Sequence, residues 1–264
     1  MWGIIPAAGA GSRIQPLAFS KELLPVGSRM DGEIERPKAV SEYLVERMVL
    51  GGVTKICFVI SAGKSDIMEY YGGSIAGVPI CYAVQPRACG LCDAVFQALP
   101  LVHPDEEAAV GLPDTIWFPA DALSALPAGS FSFLVFPVDN PGLFDAVVTD
   151  GNDSVLEIQV KDPRAKSSWI WGAFKFPGAV LYNLHRLWLS RGRADEYLGT
   201  LVNAWLAEGG KARAVRAGKS YVDVGTFNGY RQALHLLAAE KSGPGPAGAI
   251  NVDGTNARKL RSAK

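Results

Sequence analysis

The sequence predicts a doubly wound α/β fold with a mostly parallel sheet. An apolar run over residues 2–8 empties into the small-residue turn Gly9-Ala10-Gly11-Ser12-Arg13. Through the first half, short apolar runs alternate with segments whose apolar residues recur at helical spacing. Gly51-Gly52 and Pro113-Asp114 stop two of these segments at lengths that suit a β-α repeat. Strands that alternate with helices build parallel sheets, whose ligands collect at the strands' C-terminal ends.

In order, residues 2–8 read as a buried strand, and 39–50 as a helix with Leu44, Val45, Met48 and Val49 on its apolar side. A strand over 55–61, a helix over 64–71, a strand over 79–84, a helix over 90–99 and a strand over 108–112 follow. The middle is strand-rich, with runs at 131–136, 146–149, 155–160 and 169–176 and turns at 139–142 and 150–153. Helices near 179–189 and 195–207, strands near 212–216 and 221–224, and a helix over 228–240 complete the order. Residues 241–264, rich in Gly, Pro, Ala, Asn and basic side chains, read as a disordered tail. The expected organisation is one domain over 1–240, with halves of about 1–130 and 131–240. Residues 27–36, of mixed charge with one Ile34, read as an exposed loop.

With 264 residues, 48% of them hydrophobic, and a formal net charge of zero, the chain has a globular core and no global field for nucleic acid. Any anion site must be local. Cys57 and Cys81 lie in apolar runs. Cys89 and Cys92 form a CxxC without the second ligand pair that zinc needs. No basic region precedes the N-terminal apolar stretch and no long apolar span follows, so the expectation is a cytoplasmic protein without membrane partners.

The turn after residues 2–8 suits phosphate, because small residues let several backbone N–H groups face one anion. Arg13 can fork onto phosphate oxygens and Lys21 adds a compact charge. Gly9-x-Gly11 lacks the third glycine of a dinucleotide fingerprint, and Lys21 lies too far on for a Walker A loop. A tight structural turn is the bland alternative. Downstream, Gln85 can pair with a pyrimidine edge, with Gly90 leaving room for the base to stack. Asp114 and Asp223 each follow an apolar run.

The string Ile5-Pro6-Ala7-Ala8-Gly9-Ala10-Gly11-Ser12-Arg13, then Pro16-Leu17 and Ser20-Lys21-Glu22-Leu23-Leu24-Pro25-Val26, resembles the signature of nucleotide-sugar pyrophosphorylases. Within that family it is most similar to glucose-1-phosphate thymidylyltransferases and uridylyltransferases, over roughly residues 2–236. The resemblance implies a Rossmann-like sheet carrying an inserted, β-rich, sugar-binding lobe. It implies nucleotide contacts at Ala8, Gly9, Gly11, Ser12, Gln85, Gly90 and Asp114, and catalytic charges on Arg13, Lys21 and Lys161. Asp114 and Asp223 would hold Mg²⁺, and Asp145, Val160, Trp171 and Gly172 would line the acceptor pocket.

Departures fall mainly on the acceptor side. Val160 stands where the family has a sugar-binding glutamate, Asp145 where it has glycine, and Trp171 where it has a small residue. Leu112-Pro113 also interrupts the usual Gly-Asp step, and Val224 replaces Thr or Ser. The expected reaction joins dTTP or UTP to a sugar 1-phosphate and releases pyrophosphate, with Trp171 narrowing the pocket against glucose; residues 27–36 read as a solvated excursion, the alternative being a flap beside the phosphate site. The alternatives are a cytidylyltransferase of a small cationic phosphate, a non-catalytic nucleotide-binding regulator, and a dehydrogenase. The oligomeric state is left open, a homo-oligomer included.

Overall fold

The computed structural model describes residues 1–241. The tail expected over 241–264 lies, apart from Lys241, outside the described residues. Strands β1 (Trp2–Pro6), β4 (Lys55–Ile60), β6 (Val78–Val84) and β7 (Glu107–Gly111) run parallel at the centre. Between them come the hairpin β2 (Pro25–Asp31) and β3 (Ile34–Ala39), helices α1 (Val40–Leu50) and α2 (Ser65–Tyr71), the short β5 (Ser74–Ile75), and α3 (Gly90–Phe96). Then follow β8 (Thr115–Phe118), β9 (Phe131–Pro137), β10 (Asp145–Thr149), β11 (Val155–Val160) and β12 (Trp169–Pro177). The chain ends with α4 (Gly178–Ser190), α5 (Leu198–Ala207), β13 (Ala212–Val215), β14 (Ser220–Asp223) and α6 (Phe227–Lys241).

The main sheet runs β11-β10-β12-β7-β1-β4-β6-β5, with β9 also on β12 and β13 on β9. Period-two alternation sends neighbouring side chains to opposite faces. Ile4 and Cys57 therefore pack with Phe96, Leu184 and Leu201 from α3, α4 and α5. Ile5 and Phe58 pack with Leu44, Met48 and Ile67 from α1 and α2. Helices cover both faces, as the β-α alternation predicts. The strand-rich second half joins the same sheet, because β12 pairs antiparallel with β7 from Ala173↔Gly111 to Pro177↔Glu107.

Residues 27–36 differ from the expected loop: they form most of the β2–β3 hairpin. Gly32, at φ 61°, takes the first position of the two-residue turn, a conformation that a side chain would strain. Alternation there is masked by charge on both faces: Arg29, Asp31 and Arg36 share one face, where Arg29 reaches Glu42 and Arg36 reaches Asp31, and Glu35 lies on the other opposite Met30. The CxxC pair separates, with Cys92 in the core and Cys89 exposed.

The short β8 was also not legible. It pairs antiparallel with β14, from Asp223↔Thr115 to Ser220↔Phe118. This pairing decides where the site forms.

Candidate active site

β1 ends at Pro6, and the chain enters the turn with Ala7 N–H still bonded to Val59 O at 2.7 Å. Ala8 is buried, whereas Gly9 and Ser12 are exposed, and a Cβ at Gly9 would meet nothing within 4 Å. Gly11 has φ 68°, and a Cβ there would come within 2.7 Å of Lys21 Cδ. The glycine thus lets the lysine stem cross under the turn. Lys21 Nζ pairs with Asp114 Oδ2.

The β8–β14 register places Asp114, just before β8, against the end of β14, with Val224 N–H donating to Asp114 O at 2.8 Å. Arg13 Nη2 lies 3.3 Å from Asp223 Oδ2. Gly225 sits among them: a Cβ there would lie 2.8 Å from Asp223 Oδ1, 3.0 Å from Asp114 Oδ2 and 3.2 Å from Arg13 Nη2. Four charged side chains from three distant stretches of chain therefore surround one small gap.

Their electrostatics follow from burial and pairing. Burial opposes the charge on Lys21, but Asp114 and Glu22 outweigh it and raise its pKa. Burial would push Asp114 up, yet the Lys21 ammonium holds its carboxyl below the usual range. Burial and then the charge of Asp114 push Asp223 up. Tyr221 is pushed well above its ordinary value, first by burial and then by Asp223, Asp114 and Asp145, so its phenol stays neutral among three carboxyls.

Gln85 is buried, and its Nε2 donates to Asp93 Oδ2 at 2.7 Å and to Gly90 O at 3.2 Å. Gly90, at φ 90°, packs onto the Glu196 backbone, 2.6 Å from the position of a Cβ. No side chain fits there.

On the acceptor side, Lys161 takes φ 46°, donates its N–H to Phe144 O at 2.9 Å, and sets Nζ 4.5 Å from the centre of the Tyr197 ring. Asp145 pairs in register with Val160. Burial pushes the Asp145 carboxyl up, opposed by the charge of Lys161 and by the indole of Trp171. A cleft of about 650 Å³ lies alongside, bordered by Arg13, Asp223, Tyr221, Phe144, Asp139 and Lys219.

Trp171 and Gly172, expected to line the pocket, are packing positions. Trp171 is 5% exposed, in the core edge-on to Phe174 at 5.5 Å. The β12–β9 register shifts between Trp171 and Ala173, at Gly172, where a Cβ would strike Phe136 and Tyr221 within 2.7 Å. Val160 is half-buried and its Cγ2 lies 2.6 Å from where a Cβ on Gly199 would be, so it packs under α5.

The family model for nucleotidyl transferases matches residues 2–240. The chain belongs to the nucleotidyl transferase family. It is similar to a glucose-1-phosphate thymidylyltransferase of Neisseria meningitidis, 27% identical over 90% of this chain and 82% of the relative. A UTP–glucose-1-phosphate uridylyltransferase of Haloferax volcanii is 26% identical over 85% of this chain and 91% of its own length. Among solved structures, a Bacillus anthracis protein assigned as a glucose-1-phosphate thymidylyltransferase superposes with a TM-score of 0.76 at 25% identity. It covers 89% of this chain and 94% of that one. A UTP-bound UGPase from Acinetobacter baumannii shares the fold at a TM-score of 0.71 and 22% identity, over 92% of this chain and 94% of that one.

In this nucleotidyl transferase the sequence reading missed Tyr221 and Asp93 as site neighbours. Asp93 sits one helical turn after Cys89, a spacing that could have marked it as facing Gln85. Nothing local marks Tyr221, which gains its place from the β8–β14 pairing. Among the described residues no helix is long and apolar enough to cross a membrane.

Proposed function

We propose that the protein joins a uridine or thymidine triphosphate to a sugar 1-phosphate, releasing pyrophosphate. The observation that carries this reading is the convergence of Arg13, Lys21, Asp114 and Asp223 beside the open Gly9–Ser12 turn. An oxygen of the acceptor phosphate attacks the α-phosphorus in line. The new P–O bond forms as the bond to the β-phosphate breaks, and pyrophosphate leaves with the electron pair. The protein's task is to align two anions and offset their repulsion. The Gly9, Gly11 and Ser12 backbone, with Ala8 beneath it, receives the phosphates; Arg13 and Lys21 neutralise the triphosphate; Lys161 holds the acceptor phosphate.

Mg²⁺ fits the residues present. Two carboxylates that converge beside Gly225, next to an open cleft and turn, match an ion that takes one or two carboxylates and leaves its other positions to water and phosphate. Asp114 and Asp223 would hold it, and bound there it would neutralise charge on the phosphates. Lys21 and Arg13 are positioned to turn from these carboxylates toward the triphosphate.

The base preference rests on Gln85. Its amide nitrogen is engaged by Asp93 and Gly90, which leaves its oxygen to accept from a base. Uracil and thymine offer an N3–H donor; cytosine has an acceptor at that atom. Asp145 beside Lys161 shapes the acceptor side, and the cleft past Phe144 supplies the space. The acceptor half over 131–240 thus shares its site with the nucleotide half over 1–130, through Asp223. The reading places the protein in the cytoplasm, where its triphosphates are made.

A matrix of UTP, dTTP, CTP, GTP and ATP against sugar 1-phosphates, read by pyrophosphate release, tests this. Release with UTP or dTTP is expected. No release with any pair overturns the reading.

A further inference from the structure

The turn that leaves β1 is long, running from Ala7 to Ser20, and much of it is exposed. Both of its ends are gripped from one place, the entry to α2. Lys64 Nζ donates to Ala7 O at 2.6 Å and to both Glu22 carboxylate oxygens at 2.8 Å. Lys64 and Glu22 are 8% and 1% exposed, so this is a buried ion pair with a backbone carbonyl as its third member. Two residues on, Asp66 accepts from Ser20 N–H and from Ser20 Oγ, each at 2.6 Å. Glu22 is held again by its own carbonyl, which accepts from Ser41 Oγ at 2.7 Å.

We infer that Lys64 and Asp66 are positioning residues that hold the phosphate-binding turn and Lys21 in register with the triphosphate. This rests on the proposed nucleotidyl transfer for its chemistry, though the geometry stands without it. Lys64 pins the start of the turn at Ala7, one residue before the backbone that faces phosphate. Asp66 and Lys64 together pin its end at Ser20 and Glu22, on either side of Lys21. Between these anchors the described backbone hydrogen bonds are short-range, such as Ile14 N–H to Gly11 O at 3.0 Å, and the long-range contact is the exposed Arg13–Asp223 pair. The turn therefore keeps its geometry mainly from its ends. A buried ion pair is seldom retained for net stability, since removing two ions from water costs about what their attraction returns. A fixed distance between Ala7 and Glu22 is what this one supplies, because apolar side chains could fill the volume but could not hold a carbonyl.

Lys64→Met alone would strand the Glu22 carboxylate in the core. The paired variant Lys64→Met/Glu22→Leu replaces both ions by apolar groups of similar size, and Asp66→Ala removes the second anchor near the surface. Amide hydrogen exchange over residues 8–19 is expected to quicken about tenfold in each, with the central strands unchanged. KM for the triphosphate is expected to rise about tenfold, while KM for the acceptor and the melting temperature stay near wild type. Unchanged exchange over the turn overturns the anchoring. Faster exchange with an unchanged triphosphate KM overturns the positioning role. If wild-type protein releases no pyrophosphate with any substrate pair, the proposed function fails, while exchange still decides whether the turn is anchored.

Discussion

Arg13 Nη2 and Asp223 Oδ2 meet at 3.3 Å across 210 positions of sequence. The Arg13 side chain is 63% exposed, so the pair is worth little to the fold, about 1 kcal/mol at most. Its proposed value is in aiming a guanidinium at the gap beside Gly225. Arg13→Ala is expected to leave the melting temperature nearly unchanged and to lower turnover by about tenfold or more. Steady-state kinetics beside a thermal melt separate the two effects, and near-normal turnover would remove Arg13 from the proposed machinery.

Lys161 is exposed over Tyr197 and not committed to a carboxylate within ion-pair distance among the described residues. Lys161→Ala should also cost about tenfold or more in kcat/KM for the acceptor, without unfolding. An effect confined to the triphosphate's KM would move Lys161 to the other side of the site.

The Gln85 amide is oriented by Asp93 at 2.7 Å. UTP and dTTP are expected to outperform GTP and ATP by at least about tenfold. In Asp93→Ala the amide keeps only its longer contact to Gly90 O, at 3.2 Å, and turns over more readily to present its nitrogen, so the advantage of UTP over CTP should narrow. Competition assays between UTP and CTP measure this ratio, and a ratio identical to wild type would show that Asp93 does not orient the reader.

Trp171 is core, so truncating it should not open a sugar pocket. Trp171→Ala is expected to destabilise the protein by about 3–5 kcal/mol through the cavity left beside Phe174. Denaturant unfolding reads the loss. A stable variant with improved use of glucose 1-phosphate would restore Trp171 to the pocket wall.

Glu106 is half-buried, holds Lys55 Nζ and accepts from His103 N–H and Trp2 Nε1, both at 3.1 Å. The Lys55 contact first, then His103, lower its pKa from 4.5 to about 2. A depressed carboxyl stabilises the fold above its unfolded pKa, and that contribution is lost as pH falls from about 4.5 toward 2. Unfolding free energy should therefore drop more steeply over this window in wild type than in Glu106→Gln. Parallel curves for the two would show that Glu106 titrates normally.

By itself, the sequence determined the β-α order and the nucleotide-side signature. Both are local: β4, α1 and α4 show in apolar spacing, and the Gly9–Arg13 turn shows in residue size and charge. Local patterns also marked Asp114 and Asp223 as carboxylates just past apolar runs. Only the tertiary structure decided that they meet, because β8 is four residues long and its pairing with β14 is a non-local event with no spacing signature. Residues 27–36 carried a local hairpin cue in Asp31-Gly32, masked by charge along both strands, while tertiary packing set where the hairpin lies. The same packing moved Trp171 from pocket to core, since on a strand covered on both faces a residue's side is set by its neighbours' register. The Lys64–Glu22 pair was invisible for a related reason: a charged residue in sequence reads as surface, and burial is decided by what folds over it.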